Sequence, residues 1–245
     1  MKFEEIFKFK NSPYEIILGY NENRILKTDL CENASVLITG STGTSKSILM
    51  HEILLQLVMN LKEDVKIVPM AFNKVELREY ADSKYGYSKL IDNDDEAIKS
   101  LEKINDLILE RKKAFLENNV NNFKEYIKIK NEPFIVIAID EASSLLTDKR
   151  GSDEIFKIVE ACNNVGVAII VNTNNVYNDF FEKDINLCFS NKVSFDFNDR
   201  EQSILNNIKN SENLNLRKFL FKKERNAYEY NMYDFDEKYI NTILK

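Results

Sequence analysis

Tryptophan is absent, histidine occurs once, and the 245 residues contain only three prolines, six glycines and three cysteines. Each shortage excludes something. With one histidine, His51, and cysteines at positions 31, 162 and 188, the chain has neither a CxxC pair nor a Cys/His cluster. A structural zinc site is thereby ruled out, and the cysteine usage fits a reducing compartment. So few glycines and prolines, in a chain 44% hydrophobic and 30% charged, exclude a collagen-like repeat and extended disorder. A globular chain of this length buries roughly 70–75% of the surface it would expose unfolded, so it needs no covalent staple. No stretch approaches the roughly 18 apolar residues of a membrane span. The opening MKFEEIFKFK carries Glu4 and Glu5 where a secretory signal needs an apolar run, so a cytoplasmic location is expected. Positive charge is also short: Lys and Arg number 34 against 40 Asp and Glu, a net charge of −6. That excludes the broad basic footprint of a monomer that coats nucleic acid, and any DNA contact must be local.

What is present alternates between strands and helices. Ser35-Val-Leu-Ile-Thr39 is a continuous apolar run ending at Gly40, as expected of a buried parallel strand. After a glycine-containing turn, Ile48, Leu49, Ile53, Leu54, Leu57 and Val58 recur at helical spacing from Lys46 to about Leu61. A second strand, 65–71, follows, and Gly86 between Tyr85 and Tyr87 marks a turn. From Asp95 to about Ile127, Ile98, Leu101, Ile104, Leu107, Ile108 and Phe115 predict one helix, or two broken near Asn118-Asn119. Phe134 to Ile139 is the most hydrophobic strand and is expected to be central. A helix from Asp153 to about Asn163 leads through Gly166 to a strand at 167–171. After Asn191, the runs 192–195 and 228–233 look like edge strands. The alternation predicts an α/β fold, a mostly parallel central sheet with helices on both faces.

Two motifs carry chemistry. Gly40, Ser41, Thr42, Gly43, Thr44, Ser45, Lys46 and Ser47 nearly match the phosphate-binding pattern G-x-x-x-x-G-K-[ST], between a strand and a helix as that pattern requires. Backbone N–H groups of the turn and the helix N-terminus would face the phosphates of ATP, with Lys46 reaching the β/γ oxygens and the Ser47 hydroxyl on Mg²⁺. Ile48 completes the nucleotide-binding stretch. Ser45 stands where the pattern has its second glycine, so its Cβ could crowd a conformation that glycine adopts freely. The second motif is the apolar strand ending in Asp140-Glu141, whose carboxylates emerge at the ligand-binding edge of a parallel sheet. Asp140 is placed on Mg²⁺ with Ser47, and Glu141 as the residue that polarises a water for in-line attack. A further strand between the phosphate loop and this acidic strand is the layout of RecA-like motors.

Several segments in order resemble the FtsK/SpoIIIE family of DNA translocases and their relatives in conjugation and secretion elements. Ile17-Leu-Gly19 through Leu30 is similar to the family's approach to its phosphate loop. Glu76, Leu77 and Tyr80 match its D-P-K-x-x-E-L-x-x-Y segment, with Ala71, Phe72 and Asn73 in place of Asp-Pro-Lys and Lys74 one place along. Glu110 to Phe115, then Asn122 and Tyr126, resemble its E-R-R and R-N-x-x-x-Y segments, with Asn121 in place of the latter's Arg. Residues 161–173 are similar to the unit ending in its A-T-Q-R-P sensor. The resemblance implies a RecA-like P-loop ATPase divided into a lead-in (1–30), an ATPase core (31–190) and C-terminal strands and a helix completing the core (191–245). It also implies ATP and Mg²⁺ as cofactors, double-stranded DNA as partner, a homo-oligomeric, hexameric ring, and a membrane-associated or mobile-element protein that localises it. Asn174, in place of the sensor glutamine, is the third catalytic candidate beside Lys46 and Glu141.

The departures favour an alternative. Asn174 is shorter than glutamine by one methylene, and Asn163 stands where the family has an arginine able to complete a neighbour's site. Such an arginine is worth about 10³–10⁵ in rate. With Ser45, these changes fit a degenerate P-loop module that binds nucleotide and recruits DNA or protein but turns over weakly. A P-loop enzyme acting on a small substrate would need an arginine-rich lid helix, and none is seen. Arg150 and Arg200 are possible substitutes for the missing arginine. The stretch Lys209, Arg217, Lys218, Lys222, Lys223 and Arg225 reads equally as a solvated surface or a DNA contact. His51 reads as a structural helix residue, and Tyr228, Tyr230 and Tyr233 as a packed sheet face.

Overall fold

In a computed structural model, described for residues 2–72, 76–176, 188–197, 200–206, 208, 210–212, 214–223, 226–236 and 238–245, β-branched and aliphatic runs pair across distant parts of the chain. The strands are β1 (Glu15–Tyr20), β2 (Ile25–Asp29), β3 (Ser35–Thr39), β4 (Val65–Ala71), β5 (Phe134–Asp140), β6 (Val167–Thr173), β7 (Asn191–Ser194), β8 (Lys218–Lys223) and β9 (Asn226–Asn231). Among the described residues they form one sheet in the order β2-β1-β9-β8-β7-β3-β6-β5-β4. The section β7-β3-β6-β5-β4 is parallel, and β8, β9, β1 and β2 extend it antiparallel.

Two expectations about strand position change. β5 is next to the last strand rather than central, because its continuous apolar character requires only partners on both sides and cover on both faces, which β4 and β6 supply. The runs after Asn191 are not edges: β7 lies between β3 and β8, and β9 between β8 and β1. Local sequence reports burial, whereas position in a sheet is set by pairing with strands far away in the chain.

The helices are α1 (Lys46–Leu61), α2 (Arg78–Asp82), α3 (Asp94–Glu117), α4 (Phe123–Tyr126), α5 (Ser143–Thr147), α6 (Lys149–Ala161), α7 (Arg200–Leu205) and α8 (Lys238–Leu244). From β3 to β4 the chain crosses outward over β6 and β5, and from β5 to β6 it steps back. Right-handed crossovers running in opposite directions place α1 on one face and α5 and α6 on the other. Accordingly α1 packs with β1 and α8, while α3 packs on α5 and α6. The long helical pattern breaks after Glu117, where Asn119 takes φ 53°. It restarts at α4, where the Asn122 side chain accepts from the Glu125 N–H.

Helix α1, which carries the phosphate-loop lysine, is buried almost all round and fixed to β1 by one side chain. The Gln56 amide accepts from the Ile17 N–H at 2.8 Å and donates to the Ile17 carbonyl at 2.9 Å. Just beyond, the register of β1 against β2 shifts between Ile17 and Gly19. A Cβ at Gly19 would lie 2.7 Å from the Asn231 carbonyl oxygen, so only glycine lets β9 approach there.

One turn before Gln56, Glu52 is fully buried and neither carboxylate oxygen has a hydrogen-bond partner. Burial pushes its carboxyl well above the ordinary range, opposed by the positive charge of Arg217. The folded protein therefore keeps this proton at pH values where the unfolded chain has released it, and stability falls as pH rises from the ordinary carboxyl range. Glu52→Gln is expected to flatten that slope and to raise stability on the order of 1–3 kcal/mol at about pH 8, with little effect near pH 4. Urea unfolding at the two pH values measures it, and an equal effect at both would show that the Glu52 charge is not the cause.

Candidate active site

The turn leaving β3 is shaped by backbone that few residues tolerate. Gly40 takes φ 145°, and a Cβ there would lie 2.8 Å from Cβ of Phe195. Gly43 takes φ 82°. The Ser41 N–H donates to the Asp196 carbonyl at 2.8 Å, and the Ser41 carbonyl accepts from the Thr44 hydroxyl at 2.7 Å and from Nζ of Lys46 at 2.9 Å. Lys46 is 4% exposed, and burial lowers its pKa against the opposing charges of Glu141 and Asp140. The strand end beneath is also held: Nδ2 of Asn206 donates to Oγ1 of Thr39 at 2.7 Å and to Oγ of Ser194 at 3.0 Å. Ile48 packs against the edge of the core.

The acidic strand ends beside the first turn of α1. Oγ of Ser47 donates to Oδ1 of Asp140 at 3.2 Å, so the two residues read as metal ligands from sequence lie in contact. Asp140 is 1% exposed; burial raises its pKa, the negative charges of Glu76 and Glu141 add to this, and bonds from Ser47 and Asn172 oppose it. Glu141 follows in the left-handed region at φ 56°, an uncommon conformation for a side chain of this size and one that clusters at functional sites. Asn174 reaches the phosphate loop: its amide donates to Oγ1 of Thr42 at 3.1 Å and accepts from Oγ of Ser143 at 3.0 Å.

A Mg²⁺ ion fits this donor set. A hydroxyl and a carboxylate are hard oxygen ligands, and Asp140, Glu141 and Glu76 concentrate negative charge with Lys46 opposing it. Among the described residues no group of three or more His, Cys, Asp and Glu side chains could hold a metal. The ion would therefore be held by Ser47, Asp140 and phosphate oxygens, as Mg²⁺ usually is.

The sequence matches the FtsK/SpoIIIE family over residues 4–176. The chain belongs to that family. It is 27% identical over 209 residues to the DNA translocase FtsK of Chlorobaculum tepidum, covering 78% of this chain and 26% of that protein. It is 28% identical over 176 residues to the DNA translocase FtsK of Streptococcus pneumoniae, covering 65% and 23%. It thus spans about a quarter of these relatives. Among solved structures, the pCW3 conjugation coupling protein TcpA, in a monomer form with ATPγS, superposes with a TM-score of 0.81 at 22% identity, covering 96% of this chain and 71% of that one. EssC (ATPases 2 and 3) of Geobacillus thermodenitrificans superposes at 0.80 with 16% identity, covering 94% and 47%. The fold is that of P-loop ATPase motor domains.

Against the FtsK/SpoIIIE pattern, the matching segments have identifiable tasks. Glu76 and Tyr80 meet the single histidine: Nδ1 of His51 lies 3.2 Å from the Tyr80 hydroxyl and Nε2 lies 3.3 Å from Oε2 of Glu76. His51 therefore ties α1 to another segment rather than to its own helical neighbours. Asn73 and Lys74 lie outside the described residues. Asn163, in the family's arginine position, accepts from the Ala34 N–H at 2.8 Å, at the end of β3 opposite the phosphate loop, about 17 Å away along the strand. Arg150 is exposed and bonded to Asp148 and Asp95. Arg200 opens α7. In the basic stretch, Lys218 pairs with Glu229 at 2.6 Å and Arg217 with Asp234 at 3.6 Å. Lys209, Arg225 and the Lys223 side chain lie outside the described residues. Tyr230 and Tyr233 are buried, stacked on Phe219 and Tyr20, but Tyr228 is exposed beside Arg24 and is not part of the packed face expected of the three tyrosines. Sequence reasoning missed Asn172, Asp196 and Asn206, which are single polar residues lying far from the loop in sequence.

Ser45 sits in the left-handed region that glycine adopts freely, with φ 75° and ψ 18°, and its side chain caps nothing. A left-handed conformation costs a residue with a Cβ roughly 1–2 kcal/mol. Ser45→Gly is expected to raise stability by about 1 kcal/mol, some 2–4 °C in Tm, and to leave nucleotide affinity equal or higher. A loss of either, by thermal melting or analogue titration, would show that the loop is built for serine.

Proposed function

We propose that this chain is the motor part of an ATP-dependent double-stranded DNA translocase or DNA-transfer machine, of the kind carried by mobile elements. The observation that carries the reading is the convergence of Lys46, Ser47, Asp140 and Asn174 on one loop in a member of the FtsK/SpoIIIE family. Lys46 would neutralise the β/γ phosphates, Ser47 and Asp140 would hold Mg²⁺, Glu141 would orient the attacking water, and Asn174 would sense the γ-phosphate through its contact at Thr42. A bound Mg²⁺ would supply charge neutralisation on the phosphates. Subunits assemble as a hexameric ring around duplex DNA in the cytoplasm, and the acidic chain is compatible because only the channel lining needs positive charge. No helix among the described residues is long and apolar enough to cross a membrane.

Two observations support a second reading, a nucleotide-binding module with little turnover. Asn163 is engaged in a backbone bond at the far end of β3, and Ser45 strains the loop. The two readings separate in steady-state ATP hydrolysis: turnover that rises on adding linear duplex DNA supports the motor, and bound but unhydrolysed ATP supports the module.

A further inference from the structure

Asn172 stands on β6 in register with Ile38 of β3, and the β5–β6 register pairs Ile139 with Val171. The next rung sets Asn172 beside Asp140, and adjacent residues of parallel strands at one rung present their side chains to the same face. The Asn172 amide nitrogen accordingly donates to Oδ1 of Asp140 and lies 3.4 Å from Oγ of Ser47. One amide thus touches both residues read as metal ligands. The nitrogen end of the amide thus faces both the carboxylate and the hydroxyl.

That orientation leaves the other end of the amide without a partner. Asn172 is fully buried, and its Oδ1 has no hydrogen bond. A buried carbonyl left unpaired in a native site needs an explanation, and a water or an ion at the site supplies one. The family's A-T-Q-R-P segment has alanine at this position, so the amide is a feature of this chain rather than of the shared pattern.

We infer that Asn172 is a positioning residue for the metal: it fixes the Asp140 carboxylate and the Ser47 hydroxyl, and its free Oδ1 accepts a hydrogen bond from a water carried by Mg²⁺. The inference rests on the reading of this site as one for Mg²⁺ and ATP. Groups that orient metal ligands through hydrogen bonds alter metal affinity by about 10–100-fold when removed.

The test is equilibrium binding of a fluorescent, non-hydrolysable ATP analogue, titrated with Mg²⁺ and repeated in EDTA, on the native protein and on Asn172→Ala. The expected result is that the Mg²⁺ concentration for half-maximal effect rises about tenfold or more in Asn172→Ala. Affinity in EDTA, which reports an intact phosphate loop and a folded variant, should stay within about twofold of the native value. An unchanged Mg²⁺ response would overturn the inference while leaving the nucleotide site standing. An equal loss in EDTA and in Mg²⁺ would overturn it too, showing that Asn172 only supports the loop. Failure of the native protein to bind the analogue under either condition would overturn the nucleotide reading itself.

Discussion

Lys46→Ala is expected to weaken ATP binding by about 10–100-fold, the loss of charge-assisted hydrogen bonds of roughly 1.5–3 kcal/mol, and to reduce hydrolysis to background. The argument starts from burial. Lys46 is 4% exposed, and without ligand its ammonium donates to the Ser41 carbonyl within its own loop. A bound triphosphate offers that cation a stronger partner than a neutral carbonyl. Removing it also leaves Asp140 and Glu141 facing the phosphates with one positive charge fewer. Stability without nucleotide should hardly change, because the buried ammonium carries a desolvation cost that offsets its single bond. Analogue titration and thermal melting together check this. Affinity within about twofold of native would place the phosphates elsewhere.

Arg111→Ala carries the largest expected effect on stability, a loss of about 3–5 kcal/mol, or roughly 6–20 °C in Tm. The Arg111 side chain is 3% exposed and donates to Oε2 of Glu132 at 3.2 Å and to the carbonyls of Val165, Gly166 and Pro133 at 3.1, 2.7 and 2.7 Å. Its guanidinium also lies 5.0 Å from the Phe123 ring centre. One planar fork thus ties α3 to the segments that begin β5 and β6. Truncation takes a donor from three carbonyls, of which Gly166 keeps the Ile135 N–H at 2.9 Å, and removes one of the two cations that, against the effect of burial, hold Glu132 below the ordinary carboxyl range, the other being Lys130. Arg111→Lys should recover only part of the loss, since a single ammonium cannot satisfy that fork. A melting temperature within about 2 °C of native for Arg111→Ala would contradict this account.

These residues also show what sequence could reveal. The phosphate loop and the Asp140-Glu141 strand end were legible because each is a local pattern whose neighbours, strand before and helix or loop after, lie within a few residues. The helix beginning at Lys46 was legible for the same reason, whereas the break after Glu117 was one of two alternatives that the local pattern left open. Strand order was not. β7 and β9 carry short apolar runs like those of edge strands, and only pairing with β3, β8 and β1 places them inside the sheet. β1 was hidden because Gly19, a poor strand residue, is required by the approach of Asn231. Asn172 and Asn206 look like polar interruptions of apolar segments until the fold sets one beside Asp140 and the other beside Thr39. Arg111 was seen as part of a family segment, and its task of bonding three backbone carbonyls depends on two loops more than 20 and 50 residues away in sequence.

The measurement that tests the central claim most directly is steady-state ATP hydrolysis with and without linear duplex DNA, on the native protein and on Lys46→Ala, over a range of protein concentrations that spans ring assembly. The account predicts turnover that rises with DNA, increases more than proportionally with protein concentration and disappears in Lys46→Ala. Hydrolysis indifferent to DNA, or ATP that binds at Lys46 and is never turned over, would contradict it.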